Sequence, residues 1–151
     1  MTPSPLPGRD PYRSALATLL AESGCTVRVW RKTNSGLAYY RDDDWGIEIP
    51  PPNGPVAFAV AAHEIGHQLL HRTGHAARWL EEVEAEEFAL AQFDRFNLPG
   101  LEQARRRAAK HLVYAAAKAE RRAPDERRRG SLAARIRARF PAWVYEMEVS
   151  R

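Results

Sequence analysis

The chain has a single cysteine, Cys25, in 151 residues. That excludes an intramolecular disulfide and a cysteine-based zinc site, and it suits a reducing compartment. No apolar run approaches the roughly 18 residues of a membrane span. The amino end, "MTPSPLPGRDP", lacks the basic start and apolar stretch of an export signal. The expectation is a soluble, cytoplasmic protein without a membrane partner. Cys25 itself reads as a small apolar filler at the start of a strand.

Acidic charge is scarce in one part and basic charge in the other. Residues 1–100 hold 9 Lys and Arg against 13 Asp and Glu, whereas residues 101–151 hold 14 against 6, so the net charges are −4 and +8. This shift suggests a first domain over 1–100 and a basic helical extension over 101–151. The arginines of that extension, at 105–107, 121–122 and 127–129, would contact nucleic-acid phosphates or an acidic partner, or simply solubilise the surface.

Hydrophobic periodicity predicts a helix over "YRSALATLLAESG", with Ala15, Leu16, Leu19 and Leu20 on one face and Gly24 as its stop. "CTVRVW", "LAYYR" and "WGIEIP" read as short strands, the last two separated by an aspartate turn. The simplest arrangement is an antiparallel three-stranded sheet packed on the next helix. That helix should run from about Val56 to Arg72, after a proline-rich entry and before Gly74. Further helices follow over 78–96, with Leu80, Val83, Phe88, Ala91 and Phe96 as the apolar side, and over 101–122. A short one is expected around Leu132, Ile136 and Phe140, where Trp143 and Tyr145 also pack. "APDERRRG" reads as a loop. The fold class is therefore α+β and mainly helical.

"AAHEIGHQLLH" puts three histidines and a glutamate into an otherwise apolar helix. Buried polar groups cost free energy unless they are paired or ligate a metal. His63 and His67 lie four residues apart, so their side chains share one helix face and can bind a single ion. Glu64 is rotated from His63 by about 100° and flanks that ion. Two neutral imidazoles and a third protein ligand suit Zn²⁺ with one open position. His63 and His67 are then ligands and Glu64 the general base. Gly66 would permit a close approach by the sheet or by a neighbouring helix.

The third ligand does not follow the HExxHxxGxxH pattern, because Leu70 and Thr73 stand at the glycine and last histidine positions. His71 lies a further turn along the helix, too far for the same ion, and His75 is a minor alternative. The acidic helix "LEEVEAEEFAL" offers Glu81, Glu82, Glu84, Glu86 and Glu87. Glu82 and Glu86 share a face, so one can bind the metal while the other accepts an N–H from a ligand histidine. Glu82 is the preferred ligand, with Glu86 behind it.

"WGIEIPP", "AAHEIGHQLLH" and "EVEAEEFAL" together resemble the ImmA/IrrE family of gluzincin-like metallopeptidases. The resemblance spans residues 39–90 and stops at "AQFDRFNLPG", where that family tends toward a leucine-rich stretch. It implies a zincin-like fold, Zn²⁺ held by His63, His67 and Glu82, and an acid at Glu86. It also implies a protein substrate, typically a helix-turn-helix transcriptional repressor cleaved in a stress or mobile-element response. In such folds "GIEIP" would receive an extended peptide by strand addition, and Asp42–Asp44 would attract a basic one. Tyr39, Tyr40 and Tyr114 are the candidate oxyanion donors. The competing readings are an idle metallopeptidase-like domain that binds a repressor or DNA through its basic helices, and a SprT-like protease completed by His75.

Overall fold

The computed structural model describes residues 10–41, 44–72 and 76–149. Helix α1 (Asp10–Ser23) leads into strands β1 (Thr26–Trp30), β2 (Leu37–Arg41) and β3 (Asp44–Ile49). Helices α2 (Pro55–Leu70), α3 (Arg78–Arg95), α4 (Leu101–Arg121), α5 (Glu126–Arg139) and α6 (Ala142–Val149) complete an α+β architecture that is mainly helical. No helix among the described residues is long and apolar enough to cross a membrane.

Helix α1 buries Tyr12, Ala15, Leu16 and Leu19 against the centre, and the Tyr12 hydroxyl donates to the Pro99 carbonyl at 2.8 Å. It stops at Gly24, whose φ of +72° is the left-handed conformation that glycine adopts freely. Cys25 packs partly buried beside this core, and burial pushes its thiol pKa up, as suits a filler residue.

The sheet departs from the expected antiparallel arrangement. Its order is β1-β3-β2, with β3 antiparallel to β2 but parallel to β1. Alternation within each strand identifies the apolar face without saying which strand is central. Burial accounts for the outcome: Ile47 and Ile49 of β3 are fully enclosed, while Val29 and Trp30 of β1 are about half exposed. The most enclosed strand takes the middle, and β1 and β2 become the edges.

Helix α2 crosses the sheet and is the spine of the protein, buried almost without interruption from Ala57 to Gln68. Gln68 ties it to the sheet by donating from its amide to the carbonyls of Tyr39 at 2.7 Å and Gly46 at 2.9 Å. Gly66 lets α3 approach, since a Cβ there would lie 2.9 Å from the Phe88 ring. Of the two neighbours expected for this glycine, the adjacent helix is the one that comes close.

The expected boundary at residue 100 does not divide the core. Leu98, Ala104 and Ala108 share one apolar cluster with Phe58 and Phe93. A second cluster joins Trp79 and Val83 of α3 to Leu112 of α4, Ile136 of α5 and Val144 of α6. Trp143 touches both clusters, and Tyr145, 38% exposed, packs its ring beside Phe140 at a centroid distance of 6.3 Å. "APDERRRG" is not a loop throughout: Asp125 caps α5 by accepting from the Arg128 backbone N–H at 2.8 Å, so helix begins at Glu126.

Gly100 joins the two parts. Its φ is +88°, and a Cβ there would meet Pro55 at 2.4 Å. Gly100→Ala should cost about 2–4 kcal/mol from left-handed strain and overpacking together. A fall in the thermal unfolding midpoint would register it, and an unchanged midpoint would refute this reading of the junction.

Candidate metal centre

Helix α2 presents His63 and His67 toward α3, which answers with Glu82 and Glu86; all four side chains are buried. The Nε2 atoms of His63 and His67 lie 3.0 Å apart. Glu82 approaches them with Oε2 at 3.0 Å from His63 Nε2 and Oε1 at 3.3 Å from His67 Nε2. Metal–ligand bonds of about 2.0–2.1 Å in a tetrahedral zinc site give ligand separations of roughly 3.3 Å. Each histidine nitrogen faces a different oxygen of Glu82 at close to that separation, so the three side chains are compatible with one metal ion between them.

The other ring nitrogens also have neighbours. His63 Nδ1 is 2.7 Å from Glu86 Oε1, a close contact although poorly aligned for a hydrogen bond. Glu86 Oε1 also accepts from Arg107 of α4 at 2.6 Å. His67 Nδ1 is 3.0 Å from His71 Nδ1. His71 thus stands behind His67, on the side away from Glu82. His67, His71 and Glu81 form a second group with metal-ligand spacing.

Helix α4 contributes a residue that the sequence reading missed. His111 Nε2 lies 2.6 Å from Glu82 Oε2, and His63, Glu82 and His111 also have metal-ligand spacing. On antiparallel helices, Arg107 and His111 of α4 face Glu86 and Glu82 of α3. Two i, i+4 pairs of opposite character thus meet across the interface. That complementarity is the signal in the sequence that could have exposed His111.

The charge balance favours a cation. Burial alone would lower the His63 pKa, but the carboxylates of Glu86, Glu82 and Glu64 overcome it and push it up to about 10. Burial would raise Glu82 and Glu86, yet the imidazoles around Glu82, and His63 with Arg107 around Glu86, hold both carboxyls well below the usual range. The surroundings that favour an imidazolium also favour a divalent ion.

Glu64 sits on the sheet side. With His67, Tyr39, Tyr40 and Gln68 it lines a cleft of about 250 Å³. Burial raises its pKa, while the two histidines work in the opposite direction. A carboxyl displaced upward in this way is suited to taking and returning a proton. Gly36 makes room for it: a Cβ there would stand 2.6 Å from Glu64 Cγ and 3.1 Å from the Glu48 carbonyl oxygen. Gly36→Ala should lower any hydrolysis by about 10–100-fold through misplacement of Glu64, with metal content retained. Full activity in that variant would contradict the assigned position of Glu64.

The remaining expected residues are distributed around this centre. Tyr39 and Tyr40 share the Glu64 cleft, while Tyr114 is exposed on the α3–α4 side. Asp44 pairs with Arg28. Asp42, Asp43, Gly74 and His75 lie outside the described residues. β3 is paired on both sides, so "GIEIP" offers no edge to a peptide; the edge beside the cleft is β2. Comparison with known protein families, curated proteins and solved structures finds no match to this chain.

Proposed function

We propose that this protein is a zinc-dependent endopeptidase that hydrolyses a peptide bond in a regulatory protein. The observation that carries this reading is the triangle of His63, His67 and Glu82 donors with Glu64 beside it in an open cleft. Bound zinc supplies Lewis acidity, acidifying water and polarising a carbonyl oxygen. Glu64 accepts a proton from the water as its oxygen bonds to the scissile carbon. When the carbon–nitrogen bond breaks, Glu64 returns that proton to the leaving amine. Glu86 and His71 orient the ligand rings through their other nitrogens. The edge of β2 receives the extended substrate.

The resemblance to ImmA/IrrE peptidases supports a helix-turn-helix repressor as the substrate, and the single cysteine is in keeping with work in the cytoplasm. Cleavage of a peptide mixture should be abolished by a chelator and restored by zinc. A zinc-loaded chain that cuts no peptide and no repressor would overturn the proposal.

One observation favours a second reading. His111 lies within ligand spacing of His63 and Glu82, and a fourth protein ligand would close the centre as in structural zinc sites. The protein would then be a non-hydrolytic binding domain, with its basic helices available to a repressor or DNA. His111→Ala separates the two readings: in a peptidase the zinc stays bound, whereas in a closed site it binds far more weakly.

A further inference from the structure

A second cleft, of about 280 Å³, opens between α3 and α4 on the side of Glu82 away from Glu64. Trp79, Ala115 and Ala119 form apolar walls, and Arg78, Lys118 and Arg122 bring positive charge to it. Glu82 is the acid that lines it, and that carboxylate already has His63, His67, His111 and Arg78 around it. Among the described residues, the side chains of Lys118 and Arg122 have no ion-pair partner. His111, Ala115, Lys118 and Arg122 recur at helical spacing, so α4 turns one continuous face into the cleft. Arg78 lines both this cleft and the one holding Glu64. A peptide crossing the metal centre would therefore lie in one cleft on each side of it.

We propose that the α3–α4 cleft is a subsite for an acidic side chain of the substrate, held by Lys118 and Arg122 with Arg78 at the inner end. This subsite rests on the peptidase reading for the position of the peptide; its own content is the charge of the residue bound. Basic residues in the last turn of α4 also complement the helix dipole. A dipole, however, requires no recess walled by an indole beside a metal ligand. The recess holds one or two side chains, which favours a carboxylate over the extended backbone of a nucleic acid.

The test has a binding arm and a cleavage arm. In the first, the amide NMR spectrum of the zinc-supplied full chain is followed while Ac-Ala-Glu-Glu-Ala-amide or its Gln counterpart is added. The glutamate peptide should shift Trp79, Tyr114, Lys118 and Arg122, and more salt should weaken it. Binding should fall about fivefold to tenfold in the Lys118→Glu/Arg122→Glu variant, as expected for the loss of two partly exposed ion pairs. Equal binding of both peptides would overturn the subsite, as would tighter binding of a short DNA duplex to the same amides. In the second arm, cleavage sites in a peptide mixture should be enriched in Asp or Glu at one fixed position, and the variant should lose that enrichment. Cleavage without acid preference would reject the subsite and leave the peptidase standing. Charge-dependent binding at these amides without any cleavage would reject the peptidase and keep the cleft as an acid-binding site.

Discussion

Glu64→Gln is expected to lower peptide hydrolysis by about 10²–10⁴-fold, the usual contribution of a positioned general base, while zinc content stays at the wild-type level. The amide matches the carboxylate in size and fills the same place beneath Gly36. It cannot accept the water proton, so the loss should appear in kcat. Glu64 is nearly enclosed, and burial raises its pKa. Replacing this buried acid by a neutral isostere therefore removes a desolvation cost, and the variant should fold at least as well as the wild type. Loss of zinc together with activity would make Glu64 a ligand instead. Unchanged hydrolysis would remove Glu64 from the mechanism as its general base, whereas a biological effect that persists in Glu64→Gln with no hydrolysis in either protein would favour the idle-domain reading.

Glu86→Ala should do broader damage. Glu86 is completely buried and sits between His63 and Arg107. Its removal leaves the guanidinium without its carboxylate and His63 without the group behind its Nδ1. Breaking a buried pair from one side costs about 3 kcal/mol or more, and losing the support of a ligand histidine typically weakens metal binding by about 10–100-fold. Glu86→Gln should restore part of the zinc affinity by keeping an acceptor near His63, but little of the stability, because Arg107 remains uncompensated. Thermal unfolding and competition with a zinc chelator measure the two effects separately. Wild-type zinc affinity in Glu86→Ala would show that His63 needs no carboxylate behind it.

The helices were legible because apolar spacing on α1 and α4 is periodic and α2 is a nearly continuous apolar run after a proline-rich entry, and the HEIGH residues were legible because few other roles justify that cluster in a core. The face of α3 was harder to read. Its buried side includes Glu82 and Glu86 along with Trp79, Val83, Ala89 and Phe93. A stripe drawn through apolar residues alone therefore selected Ala91, which faces solvent. Partners on other helices make those acids tolerable in the interior, and such partners are separated from them by tens of residues. His111 escaped notice for the same reason: on an alanine-rich helix it looks like a surface residue until α4 is laid against α3. Strand order was hidden because pairing is non-local, and the start of α5 because its charged residues mask the Asp125 cap.

The most direct test of the central claim is zinc per chain, measured by elemental analysis on protein purified and then supplied with the metal. The wild type, Glu64→Gln and His111→Ala should each hold close to one zinc, while His67→Ala and Glu82→Ala should hold almost none. A well-folded wild type without zinc would contradict the account, as would a His67→Ala variant that keeps its full complement.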